Sequence, residues 1–340
     1  MVRFFSALLA FSLSVNAWCC TSVIISGRIR PDGKPVMMKH RDTDELHNEI
    51  RWFQGDVYSF VGLVNTPSQG GEVWAGTNTA GFCIMNTATY DLKDDDVPQS
   101  EMDKEGVFMY KVLGVCADLQ DFENFLDTLP KPWGVEANFG IIDAEGGAAY
   151  YEMNNHKWTK FDVNAIPSGY RVVTNFTETG RVEDRRGVNR YEKAQEIIAG
   201  MDLATAGHKE LFNTISRSGN PIEREITSSS IVFEGIVPGE DPSHTVMWTL
   251  CGFPSSALYL PCTVKYHACD ISSLVCSNAL YVKNKTQRKG CAEVCRKIEK
   301  QIDRKFNHEL SARAYDSLVS KKVRKYINAS LKIAESDKNH

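Results

Sequence analysis

The stretch Cys20-Thr21-Ser22-Val23-Ile24-Ile25, with Arg30-Pro31-Asp32-Gly33-Lys34 and Val36-Met37-Met38-Lys39 behind it, decides how the chain is read. The β-branched and apolar residues from Thr21 to Ile25 read as a buried strand. Pro31-Asp32-Gly33 is a turn signal, with Gly free to take the backbone conformation a tight turn needs. Val36 to Lys39 then returns as a second strand. The chain therefore contains an early β-hairpin whose leading residue is Cys20.

Upstream of that hairpin, Met1-Val2-Arg3 carries one positive charge, and Phe4 to Val15 is apolar apart from serines. The apolar run is too short to cross a hydrocarbon core of ~30 Å as a helix. A basic start, a short apolar core and then small residues is the pattern of a secretory signal, which is removed from the mature protein. Two cuts fit. One follows Ala17 and leaves Trp18 first; the other follows Cys19 and leaves Cys20 first. Residues 1–19 are read as the signal, and the mature protein is expected to be secreted or periplasmic. The bulky Trp18 before Cys19 argues against a lipid anchor. No later segment reaches the length a membrane span requires.

Downstream, a strand pair surrounds Gly76 to Thr89 with Gly81 at its turn. Apolar residues from Val107 to Leu126 keep a helical period, predicting a helix over Gly106 to Leu129 that Pro130 and Pro132 stop. Asn138 to Asp143 and Ala148 to Glu152 read as a hairpin, and Tyr170 to Thr174 as a further strand. Asn189 to Met201 reads as an amphipathic helix ended by Gly200, and Lys209 to Arg217 as a short helix. Late strands are expected at Thr245 to Leu250 and Ala257 to Leu260. Charged helix is expected from Ala292 to Ile333. Hairpins separated by helices favour antiparallel sheets covered by helices, an α+β class, over a doubly wound sheet.

Bulk composition excludes more than it identifies. The 340 residues are 42% hydrophobic and 24% charged, with a formal net charge of −4. These are values of an ordinary globular chain, and they point to neither a nucleic-acid partner nor a membrane-surface protein. Six of the ten cysteines, Cys251, Cys262, Cys269, Cys276, Cys291 and Cys295, crowd the last third. An export signal places them in an oxidising compartment, so disulfides are expected there, in a pairing spacing does not reveal. No histidine pair has zinc-ligand spacing. Ser228-Ser229-Ser230 lacks the Gly-x-Ser-x-Gly context of a nucleophile elbow.

A cysteine at a mature N-terminus carries two catalytic groups on one residue. Its thiolate attacks a carbonyl, and its own α-amine, with a pKa of about 8, is a nearby base. Around Cys20 the sequence resembles the cysteine N-terminal-nucleophile hydrolases. These include the choloylglycine hydrolases, penicillin V acylases, isopenicillin N acyltransferases and secreted dipeptidases of one superfamily. The resemblance rests on Cys20-Thr21 with its apolar strand, Asp32-Gly33, Lys39-His40-Arg41-Asp42, Asn78-Thr79-Ala80-Gly81 leading to Asn86, Thr174-Asn175, and Asn189-Arg190-Tyr191. It runs from Cys20 to about Leu260.

What the resemblance implies is a four-layer αββα fold and an amide hydrolase that works through an acyl-thioester. The implied site is Cys20 as nucleophile, Asp42 orienting the α-ammonium, Asn86 and a backbone N–H near Asn175 facing the oxyanion, and Arg190 holding the charge network. No metal and no cofactor is expected, and the partner is a small-molecule amide substrate; a homo-oligomer is left open. Lys39 and His40 depart from the pattern, standing where the bile-salt enzymes have Arg and most relatives have Asn. That turns the reading from bile salts toward a more general N-acyl amine or acylated amino acid. An acyltransferase, a dipeptidase and a disulfide-rich non-enzymatic protein stay as alternatives. The expected organisation is a signal at 1–19, a catalytic domain at 20–265 and a helical, cysteine-bearing extension at 266–340. Asn175, Asn284 and Asn328 each open a glycosylation sequon.

Overall fold

The computed structural model describes residues 19–93, 95–266 and 285–336, with the side chains of 285–289 and 334–336 left out. The signal segment before Cys19, Cys269, Cys276 and Asn284 lie outside the described residues. Among the described residues, thirteen strands form two antiparallel sheets. The first sheet takes β1 (Cys19–Ile25), β2 (Val36–Asp42), β10 (Tyr170–Val173), β11 (Thr227–Glu234), β12 (Val246–Cys251) and β13 (Tyr259–Cys262), in the order β10-β1-β2-β11-β12-β13. The second is a meander of β3 (Asn48–Phe53), β4 (Phe60–Asn65), β5 (Ala75–Asn78), β6 (Cys83–Ala88), β7 (Ala137–Ile142), β8 (Ala148–Met153) and β9 (Trp158–Asp162), in chain order.

Strand alternation explains the layering. Ile24 and Met37 point toward the second sheet and share a core with Met85, Tyr150 and Phe233. The Tyr150 hydroxyl donates to Ser22 Oγ at 3.0 Å, bridging the two sheets. Val23, Ile25, Val36 and Met38 point the other way. They pack under α3 (Val188–Ala199), α4 (His208–Leu211) and the π turn Phe212–Ser216, together with the C-terminal helices α5 (Lys285–Lys305) and α6 (Ala312–Ser336). On the far side of the second sheet lie α1 (Glu105–Val115) and α2 (Leu119–Thr128), where Phe122 meets the Tyr151 ring edge-on at 4.8 Å. The four αββα layers are therefore present. No helix among the described residues is long and apolar enough to cross a membrane.

Two local expectations differ from the structure. The helix read over Gly106 to Leu129 is two helices, broken at Cys116 to Asp118. Asn78 Nδ2 donates to the carbonyls of Leu113 and Cys116 at 2.9 and 2.7 Å, closing the end of α1. Asp118 then accepts from the Asp121 N–H at 2.8 Å and caps α2. Each cap satisfies backbone groups that a helix end otherwise leaves open. The expected disulfides are also not found among the described residues: Cys20, Cys83, Cys116, Cys251, Cys291 and Cys295 are free thiols. Cys291 and Cys295 sit one turn apart on α5. Side chains so placed are about 5–6 Å apart at Cβ, beyond the span of a disulfide. Cys291 instead faces Ser330 Oγ and Cys295 faces the Ser256 carbonyl.

Candidate active site

The site is built on the paired ends of β1 and β2, where Cys20 lies opposite Arg41 and Cys19 opposite Asp42. Alternation from Ile24 points Cys20 into the space between the sheets, on the same side of β2 as Lys39 and Arg41. Cys20 is 5% exposed. Burial pushes its thiol pKa up and Asp42 adds to that; the Lys39 and Arg41 charges and a backbone N–H bond from Asp42 oppose it.

Behind the thiol, the main-chain nitrogen of Cys20 donates to Asn175 Oδ1 at 2.8 Å. Asn175 follows β10, which pairs with β1, and is fully buried. Its Nδ2 donates to the Ala88 carbonyl at 2.7 Å, so the amide cannot turn over without losing that bond. Arg190, projecting from the first turn of α3, donates to Asn175 Oδ1 at 2.6 Å, to Thr21 Oγ1 at 3.3 Å and to the Cys20 carbonyl. A sugar has no room on Asn175, whereas Asn328 is exposed on α6. The nitrogen is thus held by the Asn175 side chain, a role distinct from the oxyanion-facing backbone N–H the resemblance implies near it.

Asp42 lies on the other flank. It accepts from Thr227 Oγ1 at 2.6 Å and from Arg224 Nε at 2.8 Å, with the second Arg224 nitrogen at 2.7 Å. His40 Nε2 is 3.5 Å away. Burial alone would raise the Asp42 carboxyl pKa, but the bonds and charges of His40, Arg224 and Thr227 outweigh it and hold it below the ordinary range. The carboxylate is therefore a fixed negative charge beside the strand end that carries Cys20.

Asn86 sits on β6 just beyond Met85, which makes the last β5 pairing on that strand. The short β5 leaves an opening there, and Lys39 reaches it from β2. The Lys39 ammonium donates to Asn86 Oδ1 at 2.8 Å and to the Trp74 carbonyl at 2.5 Å. With Oδ1 held by Lys39, Asn86 presents its Nδ2 as the remaining donor. Lys39 is 1% exposed, and burial lowers its pKa to about 7, against the raising pull of the Cys20 thiolate. Glu105, at the start of α1, is buried behind it. Its Oε1 accepts from the Glu136 N–H at 3.0 Å, its Oε2 has no hydrogen-bond partner among the described residues, and burial raises its pKa to about 7.

All five residues expected from the sequence, Cys20, Asp42, Asn86, Asn175 and Arg190, thus surround one strand end. Sequence reasoning gave no role to Lys39, Thr227, Arg224 or Glu105. Lys39 carried a signal, being a cation at an alternating strand position that points into a core. Thr227 and Arg224 carried none, because nothing local ties residues so far along the chain to Asp42. Among the described residues, no group of three or more His, Cys, Asp and Glu side chains is placed to hold a metal ion. Chemically the arrangement offers a thiol beside two cations, a nitrogen fixed by an acceptor, and an amide donor facing the same space.

No family model matches the chain, and no curated protein matches it. Several solved structures are similar to it. One is the N-acylethanolamine-hydrolyzing acid amidase ortholog of Caenorhabditis elegans, at 13% identity and TM-score 0.47, covering 63% of this chain and 92% of that one. Another is a variant of the conjugated bile acid hydrolase of Clostridium perfringens, at 11% identity and TM-score 0.47, covering 72% and 92%. A third is penicillin V acylase from Agrobacterium tumefaciens, at 12% identity and TM-score 0.45, covering 72% and 86%. The αββα layering expected from the sequence is present, and Cys20, Asp42, Asn86, Asn175 and Arg190 gather around one strand end.

Proposed function

We propose that the mature chain begins at Cys20, after export, and hydrolyses a linear amide through an acyl-thioester on that residue. The observation that carries this reading is the Cys20 nitrogen, fixed at 2.8 Å on an asparagine that Arg190 and Ala88 lock in place. A peptide N–H inside a strand needs no such apparatus. A catalytic amine does.

In this reading the α-amine takes the thiol proton and the thiolate adds to the amide carbonyl. Negative charge passes to the carbonyl oxygen, which faces the Asn86 Nδ2. One such donor is typically worth roughly 2.7–4 kcal/mol to the transition state. The ammonium returns its proton to the leaving nitrogen, the C–N bond breaks, and the acyl group stays on sulfur. Water, deprotonated by the same amine, adds to the thioester and releases the acid and the free thiol. Asp42 and Arg190 keep their charges throughout. The expected substrate is an N-acyl amine or acylated amino acid.

The test uses two purified chains, one starting at Cys20 and one starting at Trp18, each with its start checked by intact mass. Both are incubated with a panel of N-acyl amides. The first is expected to release amine and to gain an acyl mass on Cys20 that hydroxylamine removes; Cys20→Ala and the longer chain do neither. Equal turnover by Cys20→Ala or by a chain still starting at Trp18 would sink the proposal.

A further inference from the structure

The net charge of −4 conceals a segregation. Residues 285–336 carry fourteen Lys and Arg against six Asp and Glu, a net +8, so the rest of the chain carries −12. The fold separates the signs further. Two acids of the helix pair turn inward: Glu299, 2% exposed, pairs with Arg217 at 2.6 Å, and Asp303 binds His208 and the Tyr259 hydroxyl. The cations turn out. Lys297, Lys300 and Arg304 are exposed on α5, and Lys321, Arg324, Lys325 and Lys332 on α6. None of these seven has an anionic partner among the described residues. Lys305 and Lys325 crowd Lys322, whose pKa burial and their charges lower.

The same face carries aliphatic groups between the cations. A groove of about 390 Å³ has Leu310, Ala314 and Leu318 in its wall beside Lys305, Lys321 and Lys322. A second, of about 510 Å³, continues from Lys321 past Arg324, Lys325 and Asn328 to Lys332. Leu331 stands 44% exposed within that basic stretch. The 25 residues of α6 span about 37 Å. The aromatic residues of this helix, Tyr315 and Tyr326, are buried beneath it, so the face offers no ring on which a nucleic-acid base could stack. Lysines with apolar stems around exposed leucine are the composition of a helix face that lies on lipid headgroups.

We propose that the outer face of the C-terminal helix pair docks the protein on an anionic phospholipid surface. The lysines meet the headgroup phosphates and carboxylates, and Leu318 and Leu331 enter the headgroup layer. This surface is independent of Cys20.

The test is flotation of the full chain starting at Cys20 with phosphatidylcholine vesicles, with and without phosphatidylserine. Binding is expected only where phosphatidylserine is present, and is expected to be lost near 1 M salt, where charges are screened within ~3 Å. The triple variant Lys321→Glu, Lys325→Glu, Lys332→Glu should bind roughly a hundredfold more weakly, at about fivefold or more for each charge removed. A control triple with the same change in net charge, Lys111→Glu, Lys131→Glu, Lys157→Glu, should bind as the parent does. Unchanged melting of both triples shows that each folds. No binding to phosphatidylserine vesicles, or equal weakening by the two triples, overturns the proposal. So does a change in oligomeric state alone, which would make the face a contact between copies, or preferential binding to single-stranded nucleic acid.

Discussion

Lys39 is the residue on which the electrostatics of the site turn, and Lys39→Met tests it. Methionine keeps the length and apolar stem but removes the cation and its bonds to Asn86 Oδ1 and the Trp74 carbonyl. Of the charged groups that act on the Cys20 thiol, Lys39 has the strongest effect, and it favours the thiolate. A preorganised donor or charge in a water-excluded site is worth about 2.7–4 kcal/mol, or on the order of 10²–10³ in rate. The assay needs no substrate: iodoacetamide alkylates Cys20 in the chain that starts there, and intact mass follows the reaction across pH. At neutral pH Lys39→Met should react slower than the parent by about that factor.

The pH dependence sharpens the test. Burial holds Lys39 at about 7, below the ordinary lysine value. Below that pH it is charged and supports the thiolate; above it the charge fades. The gap between parent and Lys39→Met should therefore close as pH rises past about 7, whereas Lys39→Arg, which stays protonated, should keep its advantage. Stability follows with its own sign. The unfolded chain binds more protons than the folded one between about 7 and about 10.4, so this group makes the fold more stable as pH rises through that window. Lys39→Met should lose that slope. Parental alkylation rates in Lys39→Met, or a gap that stays constant from acid to alkaline pH, would refute the assignment.

Two further outcomes follow from the geometry. Arg190→Met leaves the Cys20 carbonyl and Asn175 Oδ1 without a charged donor, each bond being worth about 1.5–3 kcal/mol, and frees the amine from its position. Turnover should drop roughly a hundredfold while intact mass still shows Cys20 first; full activity in that variant would remove Arg190 from the site. His208 is stacked on Trp248 at 3.7 Å and ties α4 to β11 and α5 through Glu234 and Asp303. Burial lowers its pKa, but the two carboxylate bonds win and raise it. Its stabilisation is then complete below about 6.5 and is lost as pH rises through the raised value. Thermal melting should fall over that range in the parent and less in His208→Gln; parallel melting curves would show that the staple contributes nothing.

How far the sequence could be read follows the range over which its signals act. The β1–β2 hairpin was legible because a β-branched strand, a Pro-Asp-Gly turn and a return strand lie within about twenty residues of each other. Asn86 and Asn175 were singled out only through the family resemblance, by the motifs Asn78-Thr79-Ala80-Gly81 and Thr174-Asn175. Strands β3, β4 and β9 escaped notice: alternation in Asn48–Phe53 marks β3, but Phe60–Asn65 is a short apolar run and Trp158–Asp162 does not alternate. Strand β11 was hidden by its serines: Thr227 to Ser230 are fully buried between β2 and β12, and Thr227, Ser228 and Ser230 are satisfied by bonds to Asp42, Arg41 and His40 that no sequence window contains. The break between α1 and α2 was invisible to periodicity, because Asn78, far back in the chain, closes one helix end. Burial of Lys39, and with it the charge balance of the thiol, depends on where β5 begins, which only the assembled sheet shows.

In the proposed mechanism, the orientation of Asn175 leaves the Cys20 amine free to act as a base. A neutral α-amine has two N–H bonds and one lone pair. Turned as it is, Asn175 offers Cys20 an acceptor, so it binds an N–H and leaves the lone pair free. Turned over, its Nδ2 would donate into the lone pair and quench the base. Two bonds forbid the turn: Nδ2 to the Ala88 carbonyl, and Arg190 to Oδ1. Arg190 thus does more than supply charge. It cannot donate to an amide nitrogen, so its guanidinium permits only one face of Asn175 toward Cys20. The same guanidinium also bonds the Cys20 carbonyl, fixing the residue from its other side. In the proposed mechanism the direction in which the amine presents its lone pair is therefore set by Asn175, just after β10, and by Arg190 on α3, while Lys39 on β2 acts on the charge of the thiol beside it, so the amine and the thiol of Cys20 are tuned from separate elements of the fold.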